Sequence, residues 1–145
     1  MVCIANPGAV SAKPDWFEGE YLQLWFGDVV SEADAVQCKT QAPRLEDVRK
    51  ALEFFRAGRG TPDSQFLISC DYGASRSPAL AYVFAADELG PGREAEALDL
   101  VMRMRPEAVP NVLVVRLGDV VLKREGALLR PLKRLYAKIN EGLFG

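Results

Sequence analysis

The sequence contains no histidine. That absence removes Ser-His-Asp and Cys-His catalysis and most zinc sites, and no Cys-x-x-Cys pair stands in for them. Cysteine is scarce too. Cys3, Cys38 and Cys70 are an odd number at irregular spacing, which argues against a disulfide framework and for a reducing compartment. Cys3 and Cys38 read as plain thiols. Long apolar runs are missing: no stretch approaches a membrane span, and no basic segment leads into a short apolar one, so the expected location is cytoplasmic. Excess charge of one sign is missing as well, since a net charge of -2 over 145 residues gives no global attraction to nucleic acid. There is no internal repeat, no low-complexity tract and no sign of a second domain. An apolar share of 49% and a charged share of 26% fit one folded domain, 1–145, with a core of its own.

What the chain does have is concentrated in Phe66-Leu67-Ile68-Ser69-Cys70-Asp71-Tyr72-Gly73-Ala74-Ser75-Arg76-Ser77-Pro78. Apolar residues run into a cysteine, an arginine follows, and a helical pattern begins at once. A strand, a tight loop and a helix in that order make an anion site from backbone alone, because loop amides without internal partners and the helix N-terminus share a hollow. Gly73 lets the loop bend. Arg76 can fork two donors onto one phosphate. Cys70, in the same field, loses its proton more readily than a free thiol and becomes a nucleophile. With no histidine, activation of Cys70 falls to helix, amides and arginine. The plain alternatives are a buried structural thiol at Cys70, a surface charge at Arg76 and a simple helix-opening dipeptide at Ser77-Pro78. Arg76 in a first helical turn is poorly placed unless an anion offsets the dipole.

The remaining pattern predicts an α/β layer fold, a small central sheet flanked by helices. Val2 to Ala5 reads as a strand closed by Asn6-Pro7-Gly8, and Ser11 to Glu20 as loop. Tyr21 to Phe26 reads as a second strand with Leu22, Leu24 and Phe26 on one face. Gly27-Asp28 ends it, and the stretch to Gln41 reads as a long polar loop with Asp28 at its root, where a strand end can aim the carboxyl at the phosphate hollow. Asp34 and Glu32 are substitutes for that role in the same loop, and a turn is the bland reading of Asp28. A helix is expected from Pro43, with Leu45, Val48, Leu52 and Phe55 inward. The strand Gln65 to Ser69 precedes the cysteine loop. The helix from Ser77 buries Leu80, Val83, Phe84 and Leu89 and stops at Gly90-Pro91-Gly92. A shorter helix buries Leu98, Val101 and Met102 and ends before Pro106. One from Pro110-Asn111 turns Leu113, Leu117, Val120 and Val121 inward. The last segment, 122–145, is a basic helical extension of the same domain started by Pro131. Lys123, Arg124, Arg130, Lys133, Arg134 and Lys138 suit an acidic partner or a membrane surface. The simpler reading, which the leucines favour, is a terminal helix packed by Leu128, Leu129, Leu132 and Leu135.

Cys70 to Arg76, continued by Ser77 and Pro78, resembles the Cys-x5-Arg signature of the protein tyrosine and dual-specificity phosphatases, small bacterial members above all. Arg103-Met104-Arg105-Pro106 through Pro110-Asn111 resembles the Arg-Pro…Pro-Asn segment of that group, and Tyr21 to Asp28 the strand that delivers its acid loop. The likeness runs from about Val2 to Leu122. Relatives generally carry another strand and some preceding chain, so the N-terminus reads as short. The resemblance implies hydrolysis of phosphate monoesters through a phosphocysteine on Cys70, without metal or cofactor. The substrate would be a phosphorylated protein or a small phosphomonoester, phosphotyrosine-like and in some members phosphoserine or phosphothreonine. The amides of Asp71, Tyr72, Gly73, Ala74, Ser75 and Arg76 would hold the phosphate. Asp28 would serve as acid and then base, and the Ser77 hydroxyl would stabilise the leaving thiolate. Asn111 would lie on the site's wall, although capping or a turn explains it as well.

Two residues depart from the family's pattern. Ser69 stands where the family has histidine and brings no positive charge, which predicts a less acidic Cys70 than in relatives. Asp71 places a carboxylate about 7 Å from a bound phosphate, worth on the order of 2 kcal/mol of repulsion at an effective dielectric near 20 unless it is paired. Polyanionic inositol phosphates and phosphoinositides would suffer most, an aromatic monoester least. Both departures keep open a second reading, a catalytically weak or inactive module that binds phosphorylated ligands. The low-molecular-weight phosphatases place their loop near the N-terminus, and sulfur transferases lack the Arg-Ser-Pro continuation, so both fit less well.

Overall fold

The structure is a computed structural model and describes residues 1–144; Gly145, the end of the expected C-terminal extension, lies outside the described residues. Short apolar segments cut off by turn-forming residues become strands rather than helices. β1 spans Val2–Ala5, β2 Leu22–Trp25 and β3 Ile68–Ser69. All pair in parallel in the order β2-β1-β3, with Val2 opposite both Leu22 and Ile68. Parallel pairing puts the three carboxyl ends at one end of the sheet. Asn6, Phe26 to Asp28, and Cys70 therefore emerge together, at the end where open α/β sheets form ligand crevices.

Among the described residues six helices accompany this sheet: α1 Glu32–Gln37, α2 Leu45–Arg59, α3 Arg76–Leu89, α4 Glu94–Met104, α5 Val112–Val121 and α6 Leu129–Phe144. The site's rigidity comes from α3. Its Ala79, Leu80, Tyr82, Val83, Phe84 and Ala86 are all buried, a helix apolar nearly all round and packed on several sides. Phe84 stacks on Phe55 of α2 with centroids 4.5 Å apart. Gly118 lets α5 close on α3, because a Cβ there would lie 2.3 Å from Val83 Cγ2. The Tyr82 hydroxyl donates to the Leu128 carbonyl at 2.7 Å and ties α3 to the entry of α6.

Several sequence expectations are corrected in detail. The stretch after Asp28 is not all loop: Ser31 caps α1 by accepting from Asp34 N–H at 3.1 Å, a local capping signal outweighed on paper by the stretch's polarity. The strands are shorter than their apolar runs: Gln65 and Leu67 of the expected third strand are exposed and lie outside β3, although Leu67 O still accepts from Val2 N–H at 2.8 Å. On α5, Val114, Val115 and Gly118 are buried and Leu113, Leu117 and Val121 pack half-buried against the core as expected, whereas Val120 is 57% exposed. The charge that should mark the outer face does not do so, because Asp119 is buried and accepts from the Gly126 and Leu128 amides at 2.7 and 3.0 Å. α6 packs by Leu128 and Leu132, which are buried, as the simpler reading expected. Arg124 leaves the expected basic surface and pairs inside with Glu94 at 2.8 Å. No helix among the described residues is long and apolar enough to cross a membrane.

Candidate active site

The loop from Asp71 to Ser75 joins β3 to α3, and its carbonyls are held on one side. Arg105 donates to the Tyr72 and Gly73 carbonyls at 3.3 Å each, Val109 N–H to Ala74 O at 2.8 Å, and Asn111 N–H to Ser75 O at 3.0 Å. No peptide bond among the described residues is cis. In a trans peptide the N–H points opposite the C=O, so the amides of Gly73, Ala74, Ser75 and Arg76 turn away from the 105–111 segment. The Gly73 amide lies near enough to the Cys70 sulfur to help lower the thiol pKa. Those of Tyr72, Ala74, Ser75 and Arg76 donate to no acceptor among the described residues. A row of unpaired amides at a helix mouth is an anion cradle.

Gly73 is favoured by its backbone: its φ of +64° is left-handed, and the terminal nitrogen of Arg105 lies close enough that a Cβ would have to push it aside. The segment Arg105 to Asn111 thus acts as a brace that shapes the loop from behind.

Cys70 Sγ is 3.2 Å from Ser77 Oγ and accepts from Ser77 N–H at 3.4 Å. Burial raises the thiol pKa, but the Ser77 hydroxyl and amide, the Gly73 amide and the Arg76 charge outweigh it, and the net shift is downward. Ser69, just before the cysteine, makes no side-chain hydrogen bond among the described residues. Alkylation of Cys70 by iodoacetamide against pH therefore has its midpoint below that of a free thiol, and in Ser77→Ala the midpoint moves to higher pH. An unmoved midpoint would show that the hydroxyl does not stabilise the thiolate.

Arg76 is 4% exposed, unusual for a cation in a first helical turn. One terminal nitrogen donates to Asn6 Oδ1 at 2.7 Å and to Phe26 O at 3.0 Å, so the ends of β1 and β2 hold it. The other lies 3.4 Å from Asp71 Oδ2. Its Nε is buried without any partner among the described residues. A buried guanidinium donor and neighbouring loop amides, all without protein acceptors, form a donor set suited to an anion.

Asp28 is brought to the loop. Its Oδ1 accepts from Ser75 Oγ at 2.7 Å and from Asn111 Nδ2 at 2.9 Å, leaving Oδ2 without a protein partner. Asn111 caps α5, accepting from Val114 N–H at 3.0 Å, and also holds Asp28 and the Val29 carbonyl. The capping reading of Asn111 therefore holds, while its side chain is buried behind Asp28 and lines neither hollow. Asp34 and Glu32 sit in the first turn of α1 and line neither hollow of the site. Asp71 is paired, as its tolerance required: besides Arg76 it accepts from Asn6 Nδ2 at 3.2 Å.

Cys70 and Arg76 line two adjoining hollows rather than one. The first, about 510 Å³, contains Cys70, Gly73, Ser77 and Arg105. The second, about 390 Å³, contains Arg76, Asp28, Asn6 and Lys39. Asp71 and Tyr72 border both. The sequence reading missed Asn6, taken only as a turn residue, and the bracing role of Arg105. Asn6 had one usable signal, its place directly after a strand parallel to the one carrying Cys70. No protein-family model matches the chain, and no curated protein matches it.

Proposed function

We propose that the protein hydrolyses phosphate monoesters through a phosphocysteine on Cys70, in the manner of the cysteine phosphatases. The observation that carries the reading is Arg76, buried with its Nε unpaired beside amides that have no acceptor, within the field of a thiol whose pKa is lowered. A dianionic tetrahedral ligand satisfies all these donors at once, and the charge they oppose grows where a transition state at phosphorus needs it.

In the first step the Cys70 thiolate attacks phosphorus, the S–P bond forms and the P–O bond to the leaving group breaks. Asp28, protonated at the start, gives its proton to the departing oxygen. In the second, Asp28 takes a proton from water as that water attacks phosphorus, and the S–P bond breaks to return the thiolate, which the Ser77 hydroxyl stabilises. Ser75 and Asn111 hold Oδ1, so the partnerless Oδ2 is the oxygen that carries the proton. Asp28→Asn is expected to lower kcat about 10²-fold or more on an alkyl phosphate and far less on para-nitrophenyl phosphate, whose leaving group needs little protonation. Equal losses on both would remove Asp28 from the acid role.

A second reading, a phosphate-binding module of low turnover, draws on the Asp71–Arg76 pair. Phosphate must displace Asp71 from the guanidinium before it can be held by a fork. Asp71→Asn is therefore expected to lower the Kd for inorganic phosphate about threefold to tenfold, since the competing charge is removed from a half-exposed position. An unchanged Kd would mean that Asp71 does not compete. Cleavage of para-nitrophenyl phosphate that depends on Cys70 separates the enzyme from the binding module.

A further inference from the structure

Of the charged side chains lining the second hollow, three are engaged. Arg76 is held by Asn6, Phe26 and Asp71; Asp28 by Ser75 and Asn111; Asp71 by Asn6 and Arg76. Lys39 lines the same hollow and makes no hydrogen bond or ion pair through its side chain among the described residues. The chain holds it there deliberately. Lys39 has φ +53°, a conformation glycine or asparagine adopts at less cost, just past the end of α1. The return of this segment is pinned to β2: Gly27 N–H donates to Gln41 O at 2.7 Å, and Gly27 lacks the Cβ that would lie 2.5 Å from Thr40 Cγ2. The backbone at Lys39 is thus fixed, and its exposed side chain lines the hollow that Asp28 and Arg76 also line. The hollow, about 390 Å³, exceeds what a phosphate group fills and has room for a neighbouring group of the substrate.

We propose that Lys39, the unengaged cation beside Arg76 and Asp28, is a second anion anchor that selects phosphotyrosyl segments with a carboxylate next to the phosphorylated residue. The inference rests on the phosphatase reading and adds the substrate's second charge. An aryl phosphate directs its phosphoryl group to the loop, and an adjacent glutamate reaches the ammonium at the hollow's outer wall. The pair is exposed, so its influence is modest and screened by salt.

The test compares two phosphotyrosyl peptides, identical except for Glu or Gln beside the phosphotyrosine, at low ionic strength, with the wild-type chain, Lys39→Gly and Lys39→Glu. Glycine removes the charge while easing the backbone, so loss of folding does not confuse the result. The wild-type protein is expected to favour the Glu peptide in kcat/KM by about threefold, a preference that weakens with added salt. The ratio falls to near unity in Lys39→Gly and inverts in Lys39→Glu. A ratio unmoved by either substitution overturns the proposal. So does an equal slowing of both peptides, which would place Lys39 in service of Asp71 instead. If the wild-type protein cleaves neither peptide nor para-nitrophenyl phosphate, the phosphatase reading fails separately. The same ratio is then taken from peptide Kd values by fluorescence anisotropy, with the same outcomes for and against Lys39.

Discussion

Replacing Cys70 by serine is expected to lower kcat toward para-nitrophenyl phosphate by roughly 10⁴-fold or more, while phosphate still binds within a few-fold of its wild-type Kd. The sulfur is the atom that Ser77 and Gly73 prepare. Burial opposes its ionisation, yet their donors and the Arg76 charge bring the pKa down. A serine hydroxyl ionises so much less readily that the same donors cannot make it an alkoxide near neutral pH. The cradle is unaffected, because the loop carbonyls are held by Arg105, Val109 and Asn111 and not by the sulfur. Loss of turnover with binding retained is the signature of a nucleophile. Retained turnover would assign the chemistry to another group, and loss of both would make Cys70 part of the loop's architecture.

Arg76→Lys is expected to lower kcat/KM by about 10²- to 10³-fold, the usual effect of removing a preorganised transition-state donor. Lysine keeps the charge but has no fork, so it cannot hold Asn6 and Phe26 with one nitrogen and the anion with the others. The effect is not purely catalytic. Asn6 Oδ1 and the buried Phe26 carbonyl lose a donor, and each unsatisfied group costs about 1–3 kcal/mol when dry. A fall in Tm is therefore expected alongside the kinetic loss. The two separate by phosphate affinity measured well below the lowered Tm. If phosphate binds as tightly to Arg76→Lys as to wild type, Arg76 is a structural brace for β1 and β2 and nothing more.

The contrast between these residues shows what the sequence could and could not disclose. Cys70, Gly73, Arg76 and Ser77 were legible because they lie within one strand–loop–helix unit, where local spacing fixes their relation. Asp28 was legible as a strand-end carboxylate, but its partners Ser75 and Asn111 come from distant parts of the chain. Only the folded sheet, with its three parallel carboxyl ends at one side, brings them together. Asn6 shows the same limit: Asn-Pro-Gly reads as a turn, and its donation to Asp71 and acceptance from Arg76 depend on β1 being the central strand. Helix α5 was legible in part. Leu113, Leu117 and Val121 pack inward as their pattern suggests, but Val120 is turned outward because Asp119, whose charge reads as a surface residue, is buried against the Gly126 and Leu128 amides and Gly118 closes on Val83. The division of the site into two hollows was illegible too, because it arises from the position of Asp71 between Cys70 and Arg76.

On the proposed mechanism, sulfur and guanidinium act on one phosphoryl group although they line separate hollows. Rapid acid quench of the wild-type protein during turnover of para-nitrophenyl phosphate, followed by proteolysis and mass spectrometry, tests it most directly. The account predicts a phosphoryl group on the peptide containing Cys70, formed at the rate of the nitrophenolate burst and scarcely formed in Arg76→Lys. Turnover with no phosphorylated Cys70 peptide, or a phosphocysteine that forms equally fast in Arg76→Lys, would contradict it.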